Sequence, residues 1–257
     1  MEQKIYYDST DNIKLCGLLS KVNDNDSVVI LCHGLKGNKN EGNSFNKLVE
    51  LLQQNNINSF RFDFRGHGES TGNDYEMTPL KELEDLKNTI KMLENKNYNS
   101  IILLGASFGA SIVSLLDISK YKSINGLVSW YGCLDYFATI ETDNFFSDEH
   151  MHIAREKGYY EIVSKRTDKS FKLGIALFEE IHKLIPYKYL STQDIPILFV
   201  HGTKDSMIPY TLSEKVNVLC KNSSLELIEN GEHMFNNDLN ALLRACEVTI
   251  KFIKKHI

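Results

Sequence analysis

Ile101-Ile-Leu-Leu-Gly105-Ala-Ser107-Phe-Gly109-Ala-Ser111 is the stretch on which the fold turns. A four-residue apolar run meets a Gly-x-Ser-x-Gly pattern, which predicts a buried parallel strand over 100–104 and a helix from about Phe108. Between the two the chain must bend sharply, and the bend exposes the hydroxyl of Ser107. A strained backbone at the bend crowds its neighbours, so small residues are needed on both sides, and Gly105 and Gly109 supply them. Ser107 is therefore the candidate nucleophile.

On the N-terminal side, Lys4 to Tyr7 and Leu15 to Lys21 flank the turn-prone Asp8-Ser-Thr-Asp-Asn12 and predict an antiparallel hairpin of edge strands. Val28 to Cys32 is continuously apolar, as in a strand buried on both faces of a parallel sheet. A polar loop follows, and Phe45, Leu48, Val49 and Leu52 then recur at helical spacing. Asn58 to Phe64 predicts a further strand. Thr78 and Pro79 mark the N-cap and first residue of a long helix carrying Leu83, Leu86, Ile90 and Leu93.

Beyond Ser107, Ala110, Ile112, Val113, Leu115 and Leu116 continue a helix, and Gly126 to Trp130 predicts another strand. From Cys133 to about Tyr187 no apolar strand is visible, and the segment is expected to be an insertion over the sheet, a lid following the sixth strand. Its second half holds Phe178, Ile181, Leu184 and Ile185 at helical spacing. Strand, helix, strand and helix resume at Ile195–Val200, Tyr210–Cys220, Leu225–Ile228 and Asn240–Ile253. The alternation predicts one α/β domain over residues 1–257, a mostly parallel, doubly wound sheet with an antiparallel N-terminal edge.

Composition limits what such a domain does. Of 257 residues, 42% are hydrophobic and 25% charged, an ordinary globular balance, and the formal charge of -5 comes with scattered lysines. No basic stripe exists for nucleic acid. No window approaches the roughly 18 apolar residues of a membrane helix, and Met1 to Asp11 lacks the apolar core of an export signal, so neither membrane insertion nor export is expected. Five widely separated cysteines at 16, 32, 133, 220 and 246 suit a reduced, cytoplasmic compartment. His150 and His152 have no third ligand at matching spacing, and no metal or cofactor is expected.

The partners of Ser107 are sought at the carboxyl ends of later strands. Asp205 follows the strand ending at Val200 and is the expected acid; His233 follows the last strand and is the expected general base. A serine hydroxyl is a weak nucleophile at neutral pH, so an imidazole must take its proton and a carboxylate must orient the imidazole. The developing oxyanion needs donors, expected from the backbone N–H of Phe108, next to the nucleophile, and of Leu35, after His33-Gly34. Asp135, just past the Trp130 strand, is the rival acid. Asp63, Arg65 and His67 are expected to brace loops.

Five ordered motifs run along the chain: His33-Gly-Leu-Lys-Gly-Asn-Lys-Asn40, Asp63-Phe-Arg-Gly-His-Gly-Glu-Ser70, Gly105-Ala-Ser-Phe-Gly109, His201-Gly-Thr-Lys-Asp205 and Gly231-Glu-His233. Together they resemble the α/β-hydrolase serine esterases over almost the whole chain, especially small bacterial carboxylesterases of the cinnamoyl or feruloyl type and monoacylglycerol lipases. The family pattern departs at Ala106, where many relatives have His. The resemblance implies a carboxylic ester hydrolase working through an acyl-enzyme on a small-molecule ester. Thioesterase, monoacylglycerol lipase and peptidase activity, or a non-catalytic binding role, are the alternatives. Aromatic residues crowd 131–159, and Phe145, Phe146 and Asp135, with Glu141, are expected at the substrate slot. Oligomeric state stays open, a homodimer included.

Overall fold

The computed structural model describes residues 2–138, 146–163, 170–235 and 238–257. Continuous apolar runs make its centre: β3 (Ser27–Cys32), β4 (Ser59–Asp63), β5 (Ser100–Ala106), β6 (Ile124–Trp130) and β9 (Ile197–Gly202) lie parallel and almost wholly buried. With both faces covered, such strands need no polar alternation. β1 (Glu2–Asp8), β2 (Lys14–Ser20) and β10 (Ser223–Ile228) complete an eight-stranded sheet in the order β1-β2-β4-β3-β5-β6-β9-β10.

The N-terminal hairpin is antiparallel, as expected, but only β1 is an edge strand. β2 is interior, paired antiparallel to β4 with Cys16 opposite Asp63. Its Leu15, Cys16 and Leu19 are buried between the neighbouring strands and the helical layers.

Helices cover both faces. α2 (Pro79–Glu94) and α3 (Phe108–Leu115) bury Leu86, Ile90, Ile112 and Val113 on one side, with α7 (Tyr210–Leu219) adding Leu212 and Val216. α1 (Ser44–Gln54) and α8 (Leu239–His256) bury Phe45, Leu48, Leu242 and Ala245 on the other. α2 begins where its cap residues predict, with Thr78 Oγ1 accepting the Lys81 N–H at 3.3 Å.

Between β6 and β9 the chain makes its long excursion: α4 (Asp148–Lys157), β7 (Tyr159–Val163), β8 (Ser170–Gly174), α5 (Ile175–Ile181) and α6 (Pro186–Leu190). Two expectations are corrected here. β7 and β8 form an antiparallel pair, Tyr159 opposite Gly174 and Val163 opposite Ser170, where no strand was expected. In β7 only Ile162 is buried, so the strand lacks the apolar run by which buried strands are found. The helix expected through Ile185 stops at Ile181, because Pro186 forces Ile185 into extended backbone and opens α6. The excursion is tied down by Tyr187 N–H to Leu134 O (2.9 Å), Lys172 N–H to Asp74 Oδ2 (2.7 Å) and Leu80 N–H to Glu180 Oε2 (3.0 Å).

Candidate active site

Ser107 stands between β5 and α3 with φ 52° and ψ −119°, a conformation that costs a non-glycine residue about 1–3 kcal/mol. Neighbouring strands over-determine it. Its N–H donates to Trp130 O at 2.9 Å, and its carbonyl accepts from Cys133 N–H at 3.0 Å. A side chain at Gly105 would collide with the Ala110 backbone, and one at Gly109 with the carbonyls of Cys32 and His33. The spacing of the two glycines is thus a packing requirement.

The structure brings Ser107, His233 and Asp205 together. His233 Nε2 lies 3.1 Å from Ser107 Oγ, and its Nδ1 lies 2.7 Å from Asp205 Oδ2. Because a carboxylate only accepts, Nδ1 carries the proton and Nε2 is left to accept from the hydroxyl. The Tyr131 ring stands edge-on to the imidazole, 4.7 Å between centroids. Asp205 Oδ1 takes the N–H groups of Met207 and Ile208, both at 2.9 Å. Burial by itself would raise the Asp205 carboxyl, but hydrogen bonds from His201 and His233 overcome it and hold the group well below the usual carboxylate range. Asp135 is elsewhere, its Oδ1 capping the Phe137 N–H at 3.2 Å.

The Leu35 N–H, one of the two expected oxyanion donors, belongs to a tightly held loop. A methyl on Gly34 would stand 3.0 Å from Ser107 Cβ, so the loop after β3 lies against the nucleophile. The Gly34 carbonyl accepts from His33 Nδ1 at 2.8 Å and from Gly37 N–H at 3.0 Å. Since a trans peptide sets its C=O and N–H in opposite directions, these bonds also fix the direction of the Leu35 N–H. Burial pushes the His33 imidazole down to about 4, so it stays neutral, donating from Nδ1 and accepting the Phe64 N–H at Nε2 (3.0 Å).

Asp63 and Arg65 hold loops, as their place in the sequence suggests. Asp63 accepts the Lys39 ammonium at 2.6 Å and the N–H groups of Lys39 and Glu69. The Arg65 guanidinium grips the buried Asp85 through both oxygens, at 3.0 and 2.7 Å. Cys16, Asp63 and Glu69 approach one another closely enough to suggest a cation site, but the Lys39 ammonium already pairs with both carboxylates. His67 Nδ1 meets the Arg65 carbonyl at 2.9 Å. His150 stacks on Tyr160 and His152 pairs with Glu156, so the two share no ligand position. An open, polar cavity of about 570 Å³ lined by Lys4, Lys39, Arg61 and Glu69 includes none of the three central residues.

Of the expected slot residues, Phe146 is buried and packs on Phe108, the residue after Ser107 (6.1 Å between centroids), and on Tyr136 (5.8 Å). Phe145 and Glu141 lie outside the described residues. Two contributors escaped the sequence reading. His201 is fully buried, with Nε2 3.2 Å from Asp205 Oδ2 and Nδ1 2.8 Å from Ser213 Oγ. Glu41 is 3% exposed, and its Oε2 accepts the Gly34 N–H at 2.8 Å. The one available signal for Glu41 was an acid alone in a loop of neutral and basic residues.

Comparison with known proteins agrees with this architecture. A family model described as "Serine aminopeptidase, S33" matches residues 23–131. YfhR of Salmonella typhimurium is 28% identical over 243 residues, 89% of this chain and 71% of that protein. The bacterial YfhR proteins are longer, and the chain spans 63 to 71% of their length. The human serine hydrolase BPHL is 24% identical, covering 82% of this chain and 74% of its own. Among solved structures, Est1E of Butyrivibrio proteoclasticus with ferulic acid bound superposes with a TM-score of 0.76 at 21% identity, covering 96% of this chain and 98% of that one. The mostly parallel sheet, its antiparallel edge and its two helical layers are shared.

Proposed function

The chain has the α/β-hydrolase fold, and on that premise we propose that it is a serine hydrolase cleaving carboxylic esters of small to medium acyl or aryl acids. The observation that carries the proposal is the unbroken path from Ser107 Oγ to His233 Nε2 (3.1 Å) and from Nδ1 to Asp205 (2.7 Å). In this reading His233 takes the serine proton as Oγ attacks the ester carbonyl. Asp205 holds the tautomer and balances the imidazolium charge. The oxyanion meets the N–H groups of Leu35 and Phe108, each donor contributing about 3 kcal/mol to the transition state. The imidazolium returns its proton to the leaving alcohol, and water repeats the sequence to release the acid. No metal or cofactor enters these steps.

Residues 133–187 serve as the lid in this proposal, and the packing of Phe146 and Tyr136 on Phe108 supports an apolar lining next to Ser107. The ferulic acid held by Est1E supports an aryl acid as one acceptable acyl group. The family model's name favours a peptidase as the second reading. Five free, buried cysteines support work in a reduced compartment, the cytoplasm. Among the described residues no helix is long and apolar enough to cross a membrane.

The test is kcat/KM on acetyl, butyryl, octanoyl, palmitoyl and hydroxycinnamoyl esters beside aminoacyl p-nitroanilides, for the wild type and Phe146→Ala. The short and aryl esters are expected to lead, with selectivity altered in the folded variant. Best activity on palmitoyl ester would overturn the slot, and best activity on the anilides would favour the peptidase.

A further inference from the structure

A buried carboxylic acid outside a catalytic triad needs a reason, because removing a charge from water is costly unless it is paired or the acid stays neutral. Glu41 sits at the end of the loop between β3 and α1, 3% exposed and with a left-handed backbone, φ 43°. Its Oε2 accepts the Gly34 N–H at 2.8 Å. The other side of the same glycine is held by His33 and Gly37, so both peptide planes that meet at Gly34 are fixed, the second being the plane that carries the Leu35 N–H. A methyl on Gly37 would stand 2.9 Å from Glu41 Oε2, so the carboxylate lies in space that a glycine leaves open.

The groups around the carboxylate come from four elements. The β3 loop supplies His33, Gly34 and Gly37, and the start of α1 supplies Ser44, whose Oγ donates to the Glu41 carbonyl at 2.6 Å. The end of β6 supplies Tyr131, and the loop after β10 supplies His233, with Asp205 beyond it. Lys39, on the same loop, is engaged with Asp63 and Glu69. Lys39 is thus committed elsewhere, and the nearby group that becomes cationic in the proposed reaction is the His233 imidazole.

We infer that Glu41 is a positioning residue of the ester-cleaving site, holding the oxyanion loop through Gly34 and placing a negative charge where it favours the His233 imidazolium. The inference rests on the serine-hydrolase reading of that site. Burial pushes the carboxyl up to about 7, opposed by the Gly34 hydrogen bond and by His233, so near neutral pH the charge is present in a large part of the molecules. Two effects separate by substitution. Glu41→Ala removes both the acceptor and the charge, while Glu41→Gln keeps an oxygen that accepts from Gly34 and removes only the charge.

The experiment is the pH profile of kcat and KM on p-nitrophenyl acetate for the wild type, Glu41→Gln and Glu41→Ala, with folding checked by circular dichroism. For Glu41→Ala, kcat is expected to fall about 100-fold with KM within about twofold, the size of losing one oxyanion donor. Glu41→Gln is expected to recover about tenfold of that loss. The ratio of Glu41→Gln to wild-type kcat should fall as pH rises from 6 to 8, because the wild-type carboxyl gains its charge over that range. If Glu41→Ala does not fold, the Glu41→Gln profile decides. A Glu41→Gln profile that superimposes on the wild type, or a folded Glu41→Ala at wild-type kcat, would overturn the inference while leaving the esterase reading intact. An inactive wild type would remove the reading and the inference together.

Discussion

Gly34 and Ser107 are in contact across two loops: a single methyl on Gly34 would approach Ser107 Cβ to 3.0 Å and the Ala106 carbonyl to 3.3 Å. The loop bearing the Leu35 N–H cannot back away without breaking the bonds that hold Gly34. Gly34→Ala is therefore expected to shift the donor relative to the nucleophile. A loss of about 10- to 100-fold in kcat is expected, part of what a whole oxyanion donor supplies. Steady-state kinetics with an activated ester check this, and an unchanged kcat would show that the loop gives way at no cost.

Ser107 carries backbone strain that its proposed role as nucleophile accounts for. Ser107→Ala should leave the protein folded and remove ester hydrolysis. Ser107→Gly should remove hydrolysis too, yet raise stability by about 1 kcal/mol, since glycine accepts φ 52° without the side-chain penalty. Urea denaturation of the three proteins provides the comparison. Residual turnover in Ser107→Ala above a few per cent would reassign the nucleophile.

Asp205 and Asp135 separate cleanly. Asp205→Asn should lower kcat about 10⁴-fold through loss of the imidazole tautomer, and Asp135→Asn should be mild. The folded Asp205 carboxyl is depressed, so the stability it contributes is present above the unfolded value of about 3.9 and is lost as pH falls through the folded one. The wild type should thus lose more stability than Asp205→Asn on acidification below about pH 4. Parallel acid melting of the two would contradict the assignment.

Glu41 runs the other way. Its folded carboxyl is raised from 4.5 to about 7, so the folded state holds the proton more tightly and stability falls as pH rises across that window. The cost reaches about 3 kcal/mol above pH 7, from about 1.4 kcal/mol per unit. Glu41→Gln should therefore gain on the wild type in melting temperature between pH 5 and pH 8. A constant difference would mean that the carboxyl is solvated in solution.

Much of this was legible from residues alone. Apolar runs such as Val28–Cys32 and Ile101–Leu104 announce buried parallel strands, and Thr78-Pro79 marks a helix start, because each signal is local. Ser107, Asp205 and His233 could be placed because each follows a strand at the same edge of the sheet. Glu41 and His201 could not, since their importance lies in burial and in one partner brought near by folding. The β7–β8 hairpin escaped for a related reason: only Ile162, Leu173 and Gly174 of it are buried, so neither strand carries a continuous apolar run.

The hydrogen bond from Tyr187 to Leu134 has a consequence for how such a chain diversifies. It draws together the two stalks of the excursion just outside the sheet, so that what lies between them begins and ends at nearly one point. Lengthening or replacing a loop whose ends are already joined adds little closure entropy, about 0.6 kcal/mol per doubling, and leaves the pairing of β6 with β9 untouched. A segment closed in this way can change in length or shape at little cost to the sheet beneath it, which makes it the part of the chain most open to replacement.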